Sequence, residues 1–411
     1  MNLVFTNINR IYGTQPNGRH ILKGTDMAEV PFLDHAYLRC RDGIITETGL
    51  MQDWVAKEDE QQVSLEGKWL IPGLVDSHTH LVFAAAREEE FRMRISGKSY
   101  EEIAAAGGGI LNSALKLRQT SEEQLFEDAC VRLHLMMAHG TTTVEIKSGY
   151  GLDTASELKM LRVIKRLKEH FPMQIRATFL GAHAIPAEFR QDRAGYIRLI
   201  TDEMLPAIHA EGLADFMDVF CDRGFFSPEE TATLLEAGLR CGLRPKIHAN
   251  ELGLTGGVQV GVQFGALSVD HLEHCGPDEI ACLLESHTIP VGLPGTSYFL
   301  GLPYTPVRAL MDAGLPVALA SDFNPGSSPG PSLQMTMSLA CTQMKMLPEE
   351  ALNAVTLNAA AALDLNDTCG SLTPGKRADF CVLKGNPSLA LIPYHFGVNH
   401  VEEVYVQGVR C

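Results

Sequence analysis

Eight short apolar runs recur along the chain from Trp69 onward, each ending in polar or glycine residues and each followed by a stretch of helical spacing. They read LIPGLVDSH, TTTVEIKS, IRATFLGAH, FMDVFCD, RPKIHAN, SVDHLEH, TIPVGLPG and PVALASDF, beginning at Leu70, Thr141, Ile175, Phe216, Arg244, Ser268, Thr288 and Pro316. Strands that alternate with helices pair in parallel, because each helix carries the chain back to the start of the next strand. Eight such units predict a closed (β/α)8 TIM-like barrel, with an open doubly wound sheet as the alternative. The stretch between the first two runs illustrates the helices. Leu125, Ala129, Leu133 and Met136 share one helical face, Thr120 and Glu123 have capping-box spacing, and Gly140 is a stop signal.

The two ends of the chain follow a different pattern. Residues 3–13, 37–46, 379–383 and 404–409 are short strand-like runs separated by turn signals such as RDG and QG, with no long helix between them. Residues 1–66 and 368–411 are therefore expected to combine into one small β-sandwich domain beside a barrel domain spanning 67–367.

Composition narrows the partners. The chain of 411 residues carries 34 Lys plus Arg against 50 Asp plus Glu, a formal net charge of -16. Such a surface repels nucleic-acid backbones and anionic lipid, so neither is expected as a partner; an anionic small molecule would need a dedicated cation inside its site. MNLVFTNINRIYG lacks a basic segment followed by a long apolar run, and nowhere do about 18 uninterrupted apolar residues occur. The ten cysteines form no CxxC pair, and Cys221 and Cys381 lie in apolar runs suited to reduced thiols. A cytoplasmic enzyme is expected, with a homodimer as the commonest default for a soluble enzyme.

In a barrel of this type the chemistry gathers at the C-terminal ends of the strands. The first run ends in His78-Thr79-His80, the third in His183, the fifth in His248, the sixth in His271 and the eighth in Asp322. Alternation along a strand sends His78 and His80 to the same side, where both imidazoles can approach one ion. His-x-His alone is a weak signal, since isolated histidines are more often hydrogen-bonded structural groups. The recurrence of ligand-type side chains at five strand ends is what points to a metal site.

PGLVDSHTH, the fifth-run and sixth-run histidines, SDFNPGS and GSLTPGKRADF together resemble the amidohydrolase superfamily. The resemblance implies a (β/α)8 metallohydrolase barrel with an accompanying β-sandwich. EIKSGYGL, GAHAIP, HANELG and DHLEH resemble, more narrowly, the members that open the cyclic amide 4-imidazolone-5-propanoate to N-formimidoyl-L-glutamate in histidine degradation. Residue by residue, that likeness implies metal ligands at His78, His80, His248 and Asp322. It implies substrate contacts at Arg87, Tyr150, His183, Glu251, Asn324, Gly326 and Ser327. Two-metal members of the superfamily bridge their ions with a carboxylated Lys or a Glu at the end of strand four. Here that strand ends in Phe220-Cys221-Asp222, and Lys147 lies on the second run. A single Zn(2+) or Fe(3+) ion per subunit follows as the expectation.

Catalytic roles are expected for Glu251, His271 and Asp322. Asp322 can accept a proton from the attacking water and pass it to the departing ring nitrogen, its blander role being a helix N-cap. His271 is placed to polarise the carbonyl. Glu251 can bond the ring N–H, or merely serve as a first-turn acid. Arg87 supplies the cation for the propanoate tail, unless it joins Arg92 and Arg94 in balancing the acidic run at 88–90. Glycines 107–109 are expected to form either a lid or a plain flexible connection. The rival activity is deamination of a purine or pyrimidine by a protein of the same superfamily, and the remote one a scaffold that has lost its chemistry.

Overall fold

The computed structural model describes residues 2–15, 20–98, 102 and 108–411. The chain opens with β1 (Asn2–Tyr12), β2 (Phe32–Arg41), β3 (Ile44–Leu50), β4 (Gln61–Ser64) and β5 (Trp69–Pro72), and ends with β15 (Phe380–Leu383), β16 (Val401–Val406) and β17 (Val409–Arg410). Both ends join one eight-stranded sheet in the order β17-β16-β15-β5-β1-β2-β3, with β4 also paired to β1. The sheet curls over its own core. Phe5 on β1 meets Phe380 and Tyr405 edge-on at centroid distances of 5.0 and 5.2 Å, although β5 lies between β1 and β15.

The barrel is built from β6 (Leu74–Asp76), β7 (Thr141–Lys147), β8 (Gln174–Ala182), β9 (Phe216–Cys221), the broken stave β10 and β11 (Arg244–Pro245 and Ile247–Ala249), β12 (Ser268–His271), β13 (Ile289–Gly292) and β14 (Ala318–Leu319). Neighbouring staves are parallel throughout. The ring closes just past the ends of β6 and β14, through a parallel bridge between Thr79 and Phe323. His80 N–H donates to the Phe323 carbonyl at 2.9 Å and Asp322 N–H to the His78 carbonyl at 3.0 Å. Closure therefore occurs at the residues expected to carry the chemistry.

Local departures from the sequence reading have physical causes. The run starting at Leu70 is split between two sheets: Leu70–Pro72 pairs with β15 in the terminal sheet, and only Leu74–Asp76 is a barrel stave. Gly73 makes the crossing, passing so close to β7 that an added Cβ would lie 2.2 Å from Thr142 Oγ1. Ser121, rather than Thr120, caps the helix Glu122–Ala138 by accepting from Gln124 N–H at 3.1 Å. Thr120 belongs to the end of the preceding helix, its hydroxyl donating to the Lys116 carbonyl at 2.8 Å. Leu125, Ala129, Leu133 and Met136 are fully buried as their spacing predicts. Each leucine contributes about 1.5–3 kcal/mol by that burial. Of the glycine segment 107–109, Gly107 lies outside the described residues; Gly109 N–H donates to Glu90 Oε1 at 3.0 Å. All ten cysteines are free, and among the described residues no helix is long and apolar enough to cross a membrane.

Candidate active site

Four ligand atoms converge where the barrel closes. Nε2 of His80 lies 3.3 Å from Nε2 of His78 and 3.3 Å from Nε2 of His248. Asp322 Oδ1 lies 3.6 Å from His78 Nε2 and 3.4 Å from His80 Nε2. All four side chains are buried. Ligands held at about 2.1 Å around a tetrahedral ion stand about 3.4 Å apart, so His78, His80 and Asp322 fit one divalent ion, with His248 adjoining through His80.

Two carboxylates outside the expected set face the imidazoles. Asp270 Oδ2 is 2.6 Å from His78 Nδ1, and Asp218 Oδ2 is 2.9 Å from His248 Nδ1. A proton on Nδ1 facing a carboxylate leaves a lone pair on Nε2, so His78 and His248 present lone pairs toward the same point, as metal-ligating histidines do. Burial, reinforced for His78 by nearby Lys147 and for His80 by His183, holds both of these imidazoles neutral, well below the usual histidine range. Asp218 interrupts an otherwise apolar, fully buried strand in FMDVFC, and Asp270 is an acid in the fully buried SVDH, directly before His271. That is the sequence signal by which they were detectable.

His271 lies close enough to His78 and His248 to form a second cluster of ligand type. Its own surroundings give it a different character. Nδ1 is 3.4 Å from Glu273 Oε1 and Nε2 is 3.7 Å from Glu251 Oε2, so a carboxylate faces each nitrogen. Burial opposes a charge on His271, but Glu251 and Glu273 outweigh it and push its pKa well above the usual value. Facing two carboxylates, His271 is placed to donate a hydrogen bond from either nitrogen. Adjacent strand residues ordinarily point to opposite faces. Asp270 and His271 both serve the site because the backbone turns left-handed at His271, with φ 86. Burial pushes the Glu251 carboxyl up, with His271 opposing. Glu251 lies in a bend well ahead of the helix Gly257–Gln263, which excludes the first-turn role.

Asp322 also has a left-handed backbone, with φ 50. Thr296 donates to its second oxygen, Oδ2, at 2.5 Å. The next helix, Leu333–Gln343, is capped by Ser332, so Asp322 is no N-cap.

Arg87 stands at the rim, immediately before the helix Glu88–Ile95. Its Nε donates to Ser113 Oγ at 2.8 Å. Its Nη2 is buried and has no hydrogen-bond partner among the described residues, and no carboxylate there pairs with it, whereas Arg92 pairs with Glu89 at 3.6 Å. Tyr150 lies between the two centres, its ring 5.9 Å from that of His80 and 5.7 Å from the Arg87 guanidinium carbon. His183 stacks on His80 at 5.1 Å, with Nδ1 at 3.0 Å from the Gly149 carbonyl. Burial, with His248 nearby, pushes His183 down to about 3.

The loop after β14, which carries Asn324, Gly326 and Ser327, is tied together by its own hydrogen bonds. Asn324 Nδ2 donates to the Asp322 carbonyl at 2.7 Å and to Ser327 Oγ at 2.8 Å, and its Oδ1 accepts from Gly326 N–H at 2.7 Å and Ser327 N–H at 2.8 Å. All four of its hydrogen-bonding positions are used within the loop. A Cβ on Gly326 would lie 2.5 Å from Arg87 Nη1, so glycine leaves the guanidinium its place.

The amidohydrolase family model matches residues 69–411. An imidazolonepropionase of Flavobacterium johnsoniae is 50% identical over 387 residues, which cover 94% of this chain and 94% of its own. An imidazolonepropionase of Christiangramia forsetii is 48% identical over 410 residues, 99% of each chain. Among solved structures, the zinc-complexed atrazine chlorohydrolase of Arthrobacter aurescens superposes with a TM-score of 0.76 over 99% of this chain and 94% of its own, at 16% identity, a likeness of fold. By its fold, its buried histidine and aspartate cluster and its near full-length identity to these relatives, the chain belongs to the amidohydrolase family, in the group whose curated members are named imidazolonepropionase.

Proposed function

We propose that the chain hydrolyses the ring amide of 4-imidazolone-5-propanoate to N-formimidoyl-L-glutamate, a step in histidine degradation, with one Zn(2+) or Fe(3+) ion held by His78, His80, His248 and Asp322. One juxtaposition carries the reading: a guanidinium whose buried Nη2 has no partner among the described residues stands across the Tyr150 ring from a converging set of metal-type donors. A small substrate with an amide at one end and a carboxylate at the other matches both ends.

When bound, the ion supplies a Lewis acid that makes water nucleophilic near neutral pH. The residues supply the rest. Arg87 pairs with the tail carboxylate and so fixes the ring against Tyr150 and His183. Water adds to the ring carbonyl carbon, and His271, flanked by Glu251 and Glu273, donates a hydrogen bond to the oxygen that becomes negative. Asp322 takes the proton from the water while Thr296 holds its second oxygen. The carbon–nitrogen bond then breaks and the ring nitrogen leaves with that proton. Glu251, on the same side of the mouth as His271, holds the ring N–H. Asn324, Gly326 and Ser327 contribute the loop that keeps Arg87 and Asp322 in place.

Deamination of a purine or pyrimidine gives no reason for a cation at Arg87 that has no carboxylate partner among the described residues. The test is a side-by-side assay of metal-loaded protein on 4-imidazolone-5-propanoate and on purine and pyrimidine amines. Formation of N-formimidoyl-L-glutamate is the expected result; ammonia release from the heterocyclic amines without ring opening would refute it.

A further inference from the structure

Below the four donors the barrel interior is charged where branched aliphatic layers are usual. Glu145, Lys147, Asp218, Lys246 and Asp270 are each 0% exposed. Lys147 stands at the centre of the group. Its Nζ is 2.6 Å from Glu145 Oε1, 2.8 Å from Asp218 Oδ2 and 3.9 Å from Asp270 Oδ2. The Asp218 and Asp270 oxygens that face Lys147 are the same atoms that face Nδ1 of His248 and His78. The same residue also grips the first stave, because Lys147 N–H donates to the carbonyl of Thr79, between His78 and His80, at 2.9 Å. Lys246 is the second cation of the group: its Nζ bonds the Ser77 carbonyl at 3.2 Å and the Ala362 carbonyl at 3.4 Å, and at 3.7 Å it lies slightly nearer the same Asp270 oxygen than Lys147 does.

We infer that Lys147 is a positioning residue for the metal site: its ammonium holds Asp218, and together with Lys246 balances Asp270, in the orientation that aims Nε2 of His248 and His78 at one point. Without the ammonium at 2.8 Å buried Asp218 would turn toward another donor, and Asp270 would turn with only Lys246 left to balance it. Either change releases an imidazole from its tautomer and its aim. The inference rests on the ligand assignment proposed above.

The test is Co(2+) binding to metal-stripped protein, followed by the visible absorption of the bound ion and by competition with a chelator. The parent protein, Lys147→Met and the charge-balanced Glu145→Gln/Lys147→Met are compared, with the thermal midpoint of each stripped protein recorded. Glu145 accepts from the Thr79 N–H at 3.3 Å, a bond the glutamine carbonyl keeps, so the double variant removes one charge of each sign and leaves both aspartates in place. The expected result is Co(2+) affinity weakened roughly 10- to 100-fold in the double variant, with an altered absorption band and a thermal midpoint close to the parent's. Parent-like affinity and band in the folded double variant would overturn the inference and leave the ligand assignment standing. Failure of the double variant to fold would also overturn it, assigning Lys147 to the fold. Absence of Co(2+) binding by the parent would sink the ligand assignment and the inference with it.

Discussion

The backbone N–H of Asp322 donates to the carbonyl of His78 across 3.0 Å, joining the first and last staves at the point where each delivers a side chain to the site. Closing the barrel and assembling the donors are thus one structural event, which has consequences for several substitutions.

Arg87→Met removes the cation while leaving the four donors untouched. A charge-assisted pair contributes about 1.5–3 kcal/mol, so KM for 4-imidazolone-5-propanoate is expected to rise roughly 10- to 100-fold with kcat within a few-fold. Steady-state kinetics with metal analysis on the same sample checks it. An unchanged KM would place the tail elsewhere.

Gly326→Ala puts a methyl group 2.5 Å from the position of Arg87 Nη1. The guanidinium must shift, and KM is expected to rise by about 3- to 10-fold, less than in Arg87→Met because the charge is retained. In the Arg87→Met background the same alanine is expected to add nothing to KM, since it acts through that guanidinium. Additive effects in the double variant would separate the two residues.

His271→Asn separates donor from ligand. If His271 stabilises a developing negative charge, kcat falls about 100- to 1000-fold while metal content stays at the parent level. Loss of the ion in this variant would instead make His271 a ligand.

Gly149→Ala probes the loop that seats His183. The backbone there has φ 108, and a Cβ would lie 2.9 Å from the Leu180 carbonyl oxygen and 3.0 Å from His183 Nδ1. A loss of about 1–3 kcal/mol is expected, read as a lower denaturant midpoint, together with weaker substrate binding.

The barrel was legible because its signal is repetition: eight apolar runs with helices between them leave few topologies. The donors were legible because strand ends are where such a barrel exposes side chains, and His78, His80, His248 and Asp322 meet there in space. The limits were of two kinds. Boundaries inside a run are set by neighbours, which is why Leu70–Pro72 joins the terminal sheet and Ser121 takes the cap from Thr120. Residues acting through other residues left a fainter mark. Asp218 appears in the sequence only as an acid inside an apolar strand and Asp270 only as an acid beside His271, and the pairing of each with a particular imidazole depends on staves distant in sequence. Asn324 carries a second lesson, since its place in a characteristic motif said nothing of whether its amide faces a ligand or, as found, its own loop.

The central claim is a single ion in a site made by His78, His80, His248 and Asp322, working on a ring amide. Titrating chelator-stripped protein with Zn(2+) while measuring ring opening of 4-imidazolone-5-propanoate tests it most directly. The account predicts no activity in the stripped protein and a linear rise that breaks at one ion per chain; a break at two ions, or full activity before any is added, would contradict it.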